Sequence, residues 1–279
     1  MMKRMKISVL VVLYNKIISD SATLRTMLLC NDLCNVDLTV VNNGPKSIPQ
    51  VQEFLSSNES LFLGIRYIEH LENKPLSKVY NDFIDCNSRA DYYVIIDDDS
   101  KLESTFFRKI VLNTFDICVP RILSVDDGQY YYPTVKGVPI TSEGYIDIDD
   151  LMSISSGLTI KRDVVTLLKN KYGSVFDENF ALYGVDTSFF LRLKELDCRL
   201  NVICSSTIMH SLSRANNSKP SLFRERERLY DAAIIARRYP NRIRIYYFVK
   251  RLLKNIILFN RENLFSLITC FIKGKHPRC

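Results

Sequence analysis

The 279-residue chain has no tryptophan, only three histidines, and no Cys-x-x-Cys pair among its eight cysteines. Without such a pair, or a Cys/His cluster at zinc spacing, the pattern argues against a structural zinc site. The cysteines read as ordinary buried or half-buried thiols in a reducing compartment. Cys30 and Cys34 would share a face if their segment is helical. No run of 18 uncharged apolar residues occurs, so no transmembrane helix is expected. Internal repeats and low-complexity segments are also lacking. The opening MMKRMKISVLVVLYN mimics a secretory signal. Its apolar run is only about nine residues long, however, and ends in Tyr14-Asn15 with no small-residue cleavage site. Ile7 and the run Val9–Leu13 read better as a first buried strand.

What is present fits a folded protein: 47% hydrophobic and 25% charged residues, enough for one large domain or one domain with an appendage. The net charge of +7 is unevenly spread. From Arg237 to Cys279 eleven Lys/Arg face a single acid, Glu262, a net of +10; the first 236 residues carry 27 basic and 30 acidic groups, a net of −3.

Strand and helix signals alternate through the first half. Strands are expected at 6–13, 38–41, 64–70 and 92–96, and helices at 20–33, 48–57 and 76–87. Such alternation implies a mostly parallel sheet with helices on both faces, with ligands at the carboxyl ends of the strands. Residues 124–152 read as loops with short strands. A strand at 154–160, helices at 162–171 and 185–196, and a strand at 200–210 follow. The tail, 222–272, is helical in pattern. Its apolar runs are interleaved with Arg and Lys, which suits an amphipathic segment lying in a membrane interface.

Asp97, Asp98 and Asp99 close the strand YYVII. Residues i and i+2 of a strand share a side, so Asp97 and Asp99 converge while Asp98 points elsewhere. Clustered carboxylates repel unless a cation neutralises them, and hard oxygen ligands favour Mg²⁺ or Mn²⁺. The plainer alternative is a solvated acidic turn that caps the following helix. Asp186 opens a helix after the aromatic stretch 176–184, where it serves either as a general base or as a simple N-terminal helix acid. His210 ends an apolar strand ahead of Ser211, Ser213 and Arg214; it is a third metal ligand or a structural histidine. Asn73 and Asn81 flank a helix start, and Ser155-Ser156-Gly157 form a tight small-residue corner.

The order and spacing of these segments resemble glycosyltransferase family 2. They run Leu13-Tyr14-Asn15, VVNNG, ENKPLSKVYN, IIDDDS, SSG, FDENFALYGVDTSFFLR and then His210. The resemblance spans about residues 5–215 and is strongest to bacterial rhamnosyltransferases and galactofuranosyltransferases of surface polysaccharide synthesis. It implies an α/β fold of the GT-A type: a Rossmann-like, mostly parallel sheet flanked by helices over residues 1–215. A basic helical extension over 216–279 serves membrane and acceptor. It also implies an inverting, metal-dependent transfer of one sugar from a dTDP- or UDP-sugar to a lipid-linked or polysaccharide acceptor, as in O-antigen or capsule synthesis. The enzyme would then sit at the cytoplasmic face of the membrane.

By that resemblance Asp97, Asp99 and His210 hold Mn²⁺ or Mg²⁺, and Asp186 is the base. Tyr14, Asn15 and Asn42 line the nucleoside pocket. Asn73, Asn81, Asp98, Ser156, Gly157 and Arg192 complete the donor side. Asn42 stands where the family commonly has an Asp that accepts the base N3–H, and Pro75 replaces a usual Gly. Without tryptophan the chain lacks the QxxRW motif of processive relatives, which favours single-residue transfer. Two other classes use the same features differently: a metal-dependent phosphohydrolase or nucleotidyltransferase on the acidic cluster, and a nucleic-acid binder on the basic tail. The long apolar runs within the tail favour lipid over nucleic acid.

Overall fold

A computed structural model describes residues 5–211 and 221–279. The expected domain boundary at 215–216 lies outside the described residues. In the first half β1 (Ile7–Leu13), β2 (Val36–Asn42), β3 (Gly64–Glu69) and β4 (Tyr92–Asp97) alternate with α1 (Ala22–Met27), α2 (Val51–Asn58) and α3 (Leu76–Cys86). After β4 come the short β5 (Lys101–Leu102), α4 (Phe106–Leu112) and β6 (Ile117–Ser124). The stretch expected to be loops with short strands contains β7 (Tyr130–Tyr132), β8 (Thr134–Val135), β9 (Val138–Pro139), β10 (Gly144–Tyr145) and β11 (Leu151–Met152). Next are β12 (Leu158–Lys161), α5 (Arg162–Tyr172), α6 (Val185–Lys194) and β13 (Val202–His210). The chain ends in α7 (Leu222–Arg238), α8 (Arg242–Ile257) and α9 (Arg261–Lys273).

The main sheet runs in the order β10-β13-β6-β12-β4-β1-β2-β3. β3, β2, β1 and β4 are mutually parallel, and β13 is parallel to β6. β12 is antiparallel to both of its neighbours, β4 and β6. The chain winds outward from β1 through β2 to β3, then returns to place β4 on the other side of β1. The carboxyl ends of β1 and β4 therefore form the point where winding reverses, the usual location of a ligand crevice in such sheets. Register puts Leu13 opposite Asn42 and Val12 opposite Asp97, so the segments after all three strands emerge at one edge.

β1 is apolar at nearly every position because both its faces are covered. Leu10 and Val12 pack into one core, beneath α3, α5, α6 and α7. Ile7, Val9, Val11 and Leu13 pack into the other, beneath α1 and α4. The first core continues into the tail: Leu229, Ala233 and Ile234 of α7, Phe248 of α8 and Leu267 of α9 belong to it. The tail is therefore a three-helix unit whose inner side completes one core of the sheet, not one free amphipathic helix.

The expected helix at 20–33 is shorter than its apolar stripe suggests. α1 stops at Met27, and Asp32 adopts a left-handed φ of 65° before a 3₁₀ turn at Leu33–Asn35. Cys30 and Cys34 consequently do not share a helix face: Cys30 is buried and Cys34 is exposed.

Candidate functional site

β4 delivers Asp97 at its last residue, and the turn after it carries Asp98 and Asp99. The turn is tied down by α1. The Thr23 hydroxyl donates to the carbonyls of Asp97 and Ser100, the latter at 3.0 Å, and accepts the Ser100 amide at 2.9 Å. Ser21, the N-cap of α1, donates to the Asp98 carbonyl at 3.0 Å. Asp98 turns away from its neighbours: its carboxylate takes the Tyr14 amide at 3.1 Å and the Lys16 ammonium at 2.5 Å. In this structure Asp98 locks the loop after β1 onto the loop after β4.

Asp97, Asp99 and His210 bring ligand atoms to within 4.8 Å of one another. His210 reaches them because β5, immediately after the acidic turn, pairs with β13, setting Leu102 opposite Ile208 and Lys101 opposite Met209. A bulge in β13, with Ser206 at a φ of 69°, precedes this pairing. Its amides, left out of the strand pairing, are taken up by Glu143 at 3.2 Å from Ser206 and Glu103 at 2.9 Å from Thr207. Nδ1 of His210 lies 3.0 Å from both Asp99 Oδ1 and Ser100 Oγ. Ser100 Oγ in turn lies 2.6 Å from Ser156 Oγ, which accepts the Asp97 amide at 3.2 Å. Ser213 and Arg214, downstream of His210, lie outside the described residues.

The charges in this cluster are unbalanced. Burial pushes the Asp97 carboxyl well above the usual carboxylate range; His210 opposes this, and the charges of Asp99, Asp186 and Asp98 reinforce it. Burial also disfavours the charged form of Asp99, but the hydrogen bond and charge of His210, with Lys16 behind it, hold that carboxyl below its ordinary value. Burial pulls the His210 imidazole down, yet Asp99 and the other acids outweigh it and the net shift is upward. Two carboxylates and an imidazole at this spacing form a hard donor set suited to a divalent cation, whose charge would offset the burial and the neighbouring acids that together raise the Asp97 carboxyl.

Asp186 sits in the first turn of α6, after Gly184 at a left-handed φ of 83°. Burial pushes its carboxyl up to about 6, against hydrogen bonds from the hydroxyl and backbone of Ser155. The same Ser155 hydroxyl lies 3.2 Å from the phenol of the fully buried Tyr80. Tyr80 feels the charges of both Asp97 and Asp186, and burial above all raises its pKa. Ser155, Ser156 and Gly157 thus join Asp186 to the Asp97, Asp99 and His210 cluster. Gly157 sits at a φ of 84°, and a side chain there would collide with Ile208 and Pro120.

The remaining expected site residues divide into two groups. Tyr14 is exposed, as is Asn15, whose left-handed φ of 53° turns the chain after β1. Asn42 is buried with both ends of its amide engaged: Oδ1 accepts the Gly44 amide at 3.0 Å, and Nδ2 donates to Lys46 O at 2.8 Å and Glu69 at 3.3 Å. Asn73 adopts a φ of 53°, and its side-chain carbonyl accepts from Asn43 at 3.4 Å.

Asn81 and Arg192 are structural in this arrangement. Asn81 clamps the backbone of Phe176 through two bonds of 2.9 Å and reaches Glu178 at 3.0 Å. Arg192 is buried, stacks 4.8 Å over Tyr172, donates to Tyr239 and Ser174, and pairs with Asp177 at 3.4 Å. None of its hydrogen-bond or ion-pair partners belongs to the acidic cluster.

Four contributors were not singled out from the sequence: Thr23, Ser100, Tyr80 and Asn43. Asn43 directly follows β2 and is 1% exposed; its Nδ2 donates to Lys74 O at 2.8 Å, while its Oδ1 has no hydrogen-bond partner. Because Lys74 O can only accept, the amide orientation is fixed and the carbonyl is the free end. The Asn42-Asn43 pair at the end of β2 is the sequence signal, but pattern alone does not say which of the two is left free.

The architecture is a GT-A-type fold: a mostly parallel sheet flanked by helices, with helices at the carboxyl terminus. By sequence the chain matches no protein-family model and no curated protein. By structure it is similar to residues 1–349 of S. aureus TarS, at a TM-score of 0.57 and 13% identity, over 98% of this chain and 93% of that one. The same fragment in complex with UDP-GlcNAc aligns at a TM-score of 0.60 and 14% identity, over 98% and 82%. In complex with UDP it aligns at 0.57 and 14%, over 95% and 81%.

Proposed function

We propose that the chain is an inverting, non-processive glycosyltransferase that moves one sugar from a nucleoside-diphosphate sugar to a hydroxyl acceptor and requires a divalent cation. The observation that carries this reading is the meeting of Asp97, Asp99 and His210 at the sheet's reversal edge, with Asp186 close enough to shift the titration of Asp97. The UDP and UDP-GlcNAc complexes of the structurally similar TarS fragment support a nucleotide-sugar donor.

Asp97, Asp99 and His210 would hold Mn²⁺ or Mg²⁺. Such an ion supplies positive charge where a diphosphate leaves. Asp186, as the carboxylate, takes the proton of the acceptor hydroxyl. The acceptor oxygen bonds to the anomeric carbon, and the bond from that carbon to the diphosphate oxygen breaks, its electron pair leaving with the nucleoside diphosphate. The buried Asn43 carbonyl suits the imide N–H of a uracil or thymine. Rhamnose as the sugar, a lipid-linked glycan as the acceptor, a role in O-antigen- or capsule-type synthesis and a place at the cytoplasmic membrane face complete the proposal. They rest on the sequence resemblance and on the basic tail.

The test is thermal shift with UDP-GlcNAc, dTDP-rhamnose and UDP, each with and without Mn²⁺, followed by product analysis. A cation-dependent rise in melting temperature that Asp97→Ala and Asp99→Ala abolish supports the assignment. Release of inorganic phosphate without a new glycosidic bond would replace it with phosphohydrolase chemistry.

A further inference from the structure

The tail helices present two unlike faces. Inward, α8 buries Phe248 and Asn255, and Phe248 stacks on Phe271 of α9 with ring centroids 4.4 Å apart. Outward, Ile243, Tyr246, Leu253 and Ile257 return to one stripe at helical spacing, and all four are more than half exposed. A shallow groove of about 470 Å³ follows this stripe, flanked by Lys250 and Lys254. The α8–α9 turn carries Phe259 at 88% exposure, and α9 adds Phe265 and Ile272 at 72% and 71%. Isolated exposed apolar residues are ordinary; seven large ones concentrated on two adjacent helices and the turn that joins them mark a contact surface.

The charges around this surface select the partner. Lys250 and Lys254 line its groove, Arg242 and Arg261 open α8 and α9, and Glu262, the single acid from 237 onward, is paired with Arg226 at 2.6 Å. A second copy would bring like charge against like charge. A nucleic acid would satisfy the lysines and arginines but leave the apolar side chains in water. An anionic bilayer satisfies both, because the apolar side chains enter the acyl boundary while Lys stems lie along it with their ammonium groups among the headgroups.

Deepening the membrane-face placement proposed above and resting on it, we propose that the outward face of α8, with the Phe259 turn and the outer side of α9, docks this protein on an anionic lipid surface. The face is a peripheral contact, since no helix among the described residues is long and apolar enough to cross a membrane. Docking through the side opposite the shared core holds the body at the bilayer without disturbing the sheet.

Co-sedimentation with mixed phosphatidylcholine–phosphatidylglycerol vesicles tests this against pure phosphatidylcholine vesicles and duplex DNA. The full chain is expected to partition at least tenfold more strongly to the anionic vesicles than to the neutral ones, and less at high salt. The double variant Leu253→Glu/Ile257→Glu loses at least tenfold of that binding, and Lys250→Gln/Lys254→Gln removes most of the anionic preference. Both variants change exposed positions, so circular dichroism should show an unchanged melting transition, and cation-dependent nucleotide binding should persist. Loss of vesicle binding alone therefore separates this surface from the catalytic reading. Three results would overturn the proposal: wild-type protein left in the supernatant with anionic vesicles, self-association that the glutamate variant abolishes, or DNA binding tighter than vesicle binding.

Discussion

Ser100 Oγ stands 3.0 Å from His210 Nδ1 and so ties the turn after β4 to the last residue of β13 across 110 positions of sequence. The same oxygen contacts Ser156, whose own oxygen holds the Asp97 amide. Ser100 therefore orients His210, the imidazole of the proposed cation site. Ser100→Ala is expected to weaken Mn²⁺ binding by about tenfold to a hundredfold, the usual loss when a ligand's supporting partner is removed. Isothermal titration of Mn²⁺ into the variant measures it, and an unchanged affinity would show that His210 is positioned without Ser100.

Asp186→Asn keeps the size of the side chain and removes its basicity. Catalytic turnover should fall by about 10²–10⁴, the range supplied by a positioned general base. UDP affinity in the presence of Mn²⁺ should stay within about twofold. A variant that retains turnover would transfer the role of base to another residue.

The same carboxyl sets a pH dependence. Its pKa is raised to about 6 by burial. The charged base is therefore lost as pH falls through 6, and turnover should drop about tenfold per pH unit below that point. The stability effect has the opposite sense. A folded-state pKa above the unfolded value means the folded protein binds the proton more tightly, so this residue's contribution declines as pH rises from about 4 to about 6. At pH 7 the ionised group is a liability, and Asp186→Asn should raise stability by about 1–3 kcal/mol, read from urea denaturation.

Arg192→Ala addresses a side chain whose partners are Asp177, Tyr239 and Ser174. Removing it leaves Asp177, which is completely buried, with Arg238 as its remaining guanidinium partner at 3.0 Å. A loss of about 3–5 kcal/mol in folding stability is expected, with nucleotide affinity unchanged per folded molecule. Weaker nucleotide binding at full stability would return Arg192 to the donor site.

Asn43→Ala removes the buried carbonyl that lacks an internal partner, whereas Asn42→Ala removes two bonds within the loop after β2, to Gly44 and Lys46, and one to Glu69 at the end of β3. UDP affinity is expected to fall about tenfold in the first case, the cost of one lost hydrogen bond to a buried polar group. The second should mainly lower the melting temperature. Titration of UDP into both variants, alongside thermal denaturation, distinguishes them.

The parallel half of the sheet was legible because β1, β2 and β4 are buried on both faces and carry short, mostly apolar runs bounded by Asn, Gly and Asp. The opposed orientation of Asp97 and Asp98 followed from the two-residue period of a strand. What stayed hidden depends on distant partners. Nothing local to Ser100 announces His210, and nothing in the apolar stripe of 20–33 announces that α1 stops at Met27 or that Asp32 turns left-handed before the 3₁₀ turn that follows. Arg192 and Asp186 look alike from the sequence, as charged groups on one helix. The difference is that Asp177 and Tyr239, from other elements, claim the arginine. The tail's helical pattern was readable, but a periodicity cannot say that one side of it finishes a core begun 200 residues earlier.

The corner Ser155-Ser156-Gly157 gives three consecutive residues three different obligations. The first steadies the acid of α6, the second carries the backbone of the aspartate turn, and the third lets β12 pass against Ile208 and Pro120 without a side chain in the way. A one-residue insertion or deletion there would misassign every obligation at once. Drift at this spot is thus confined to swaps that preserve register, and neighbouring loops are freer to diverge in length when acceptor preference changes.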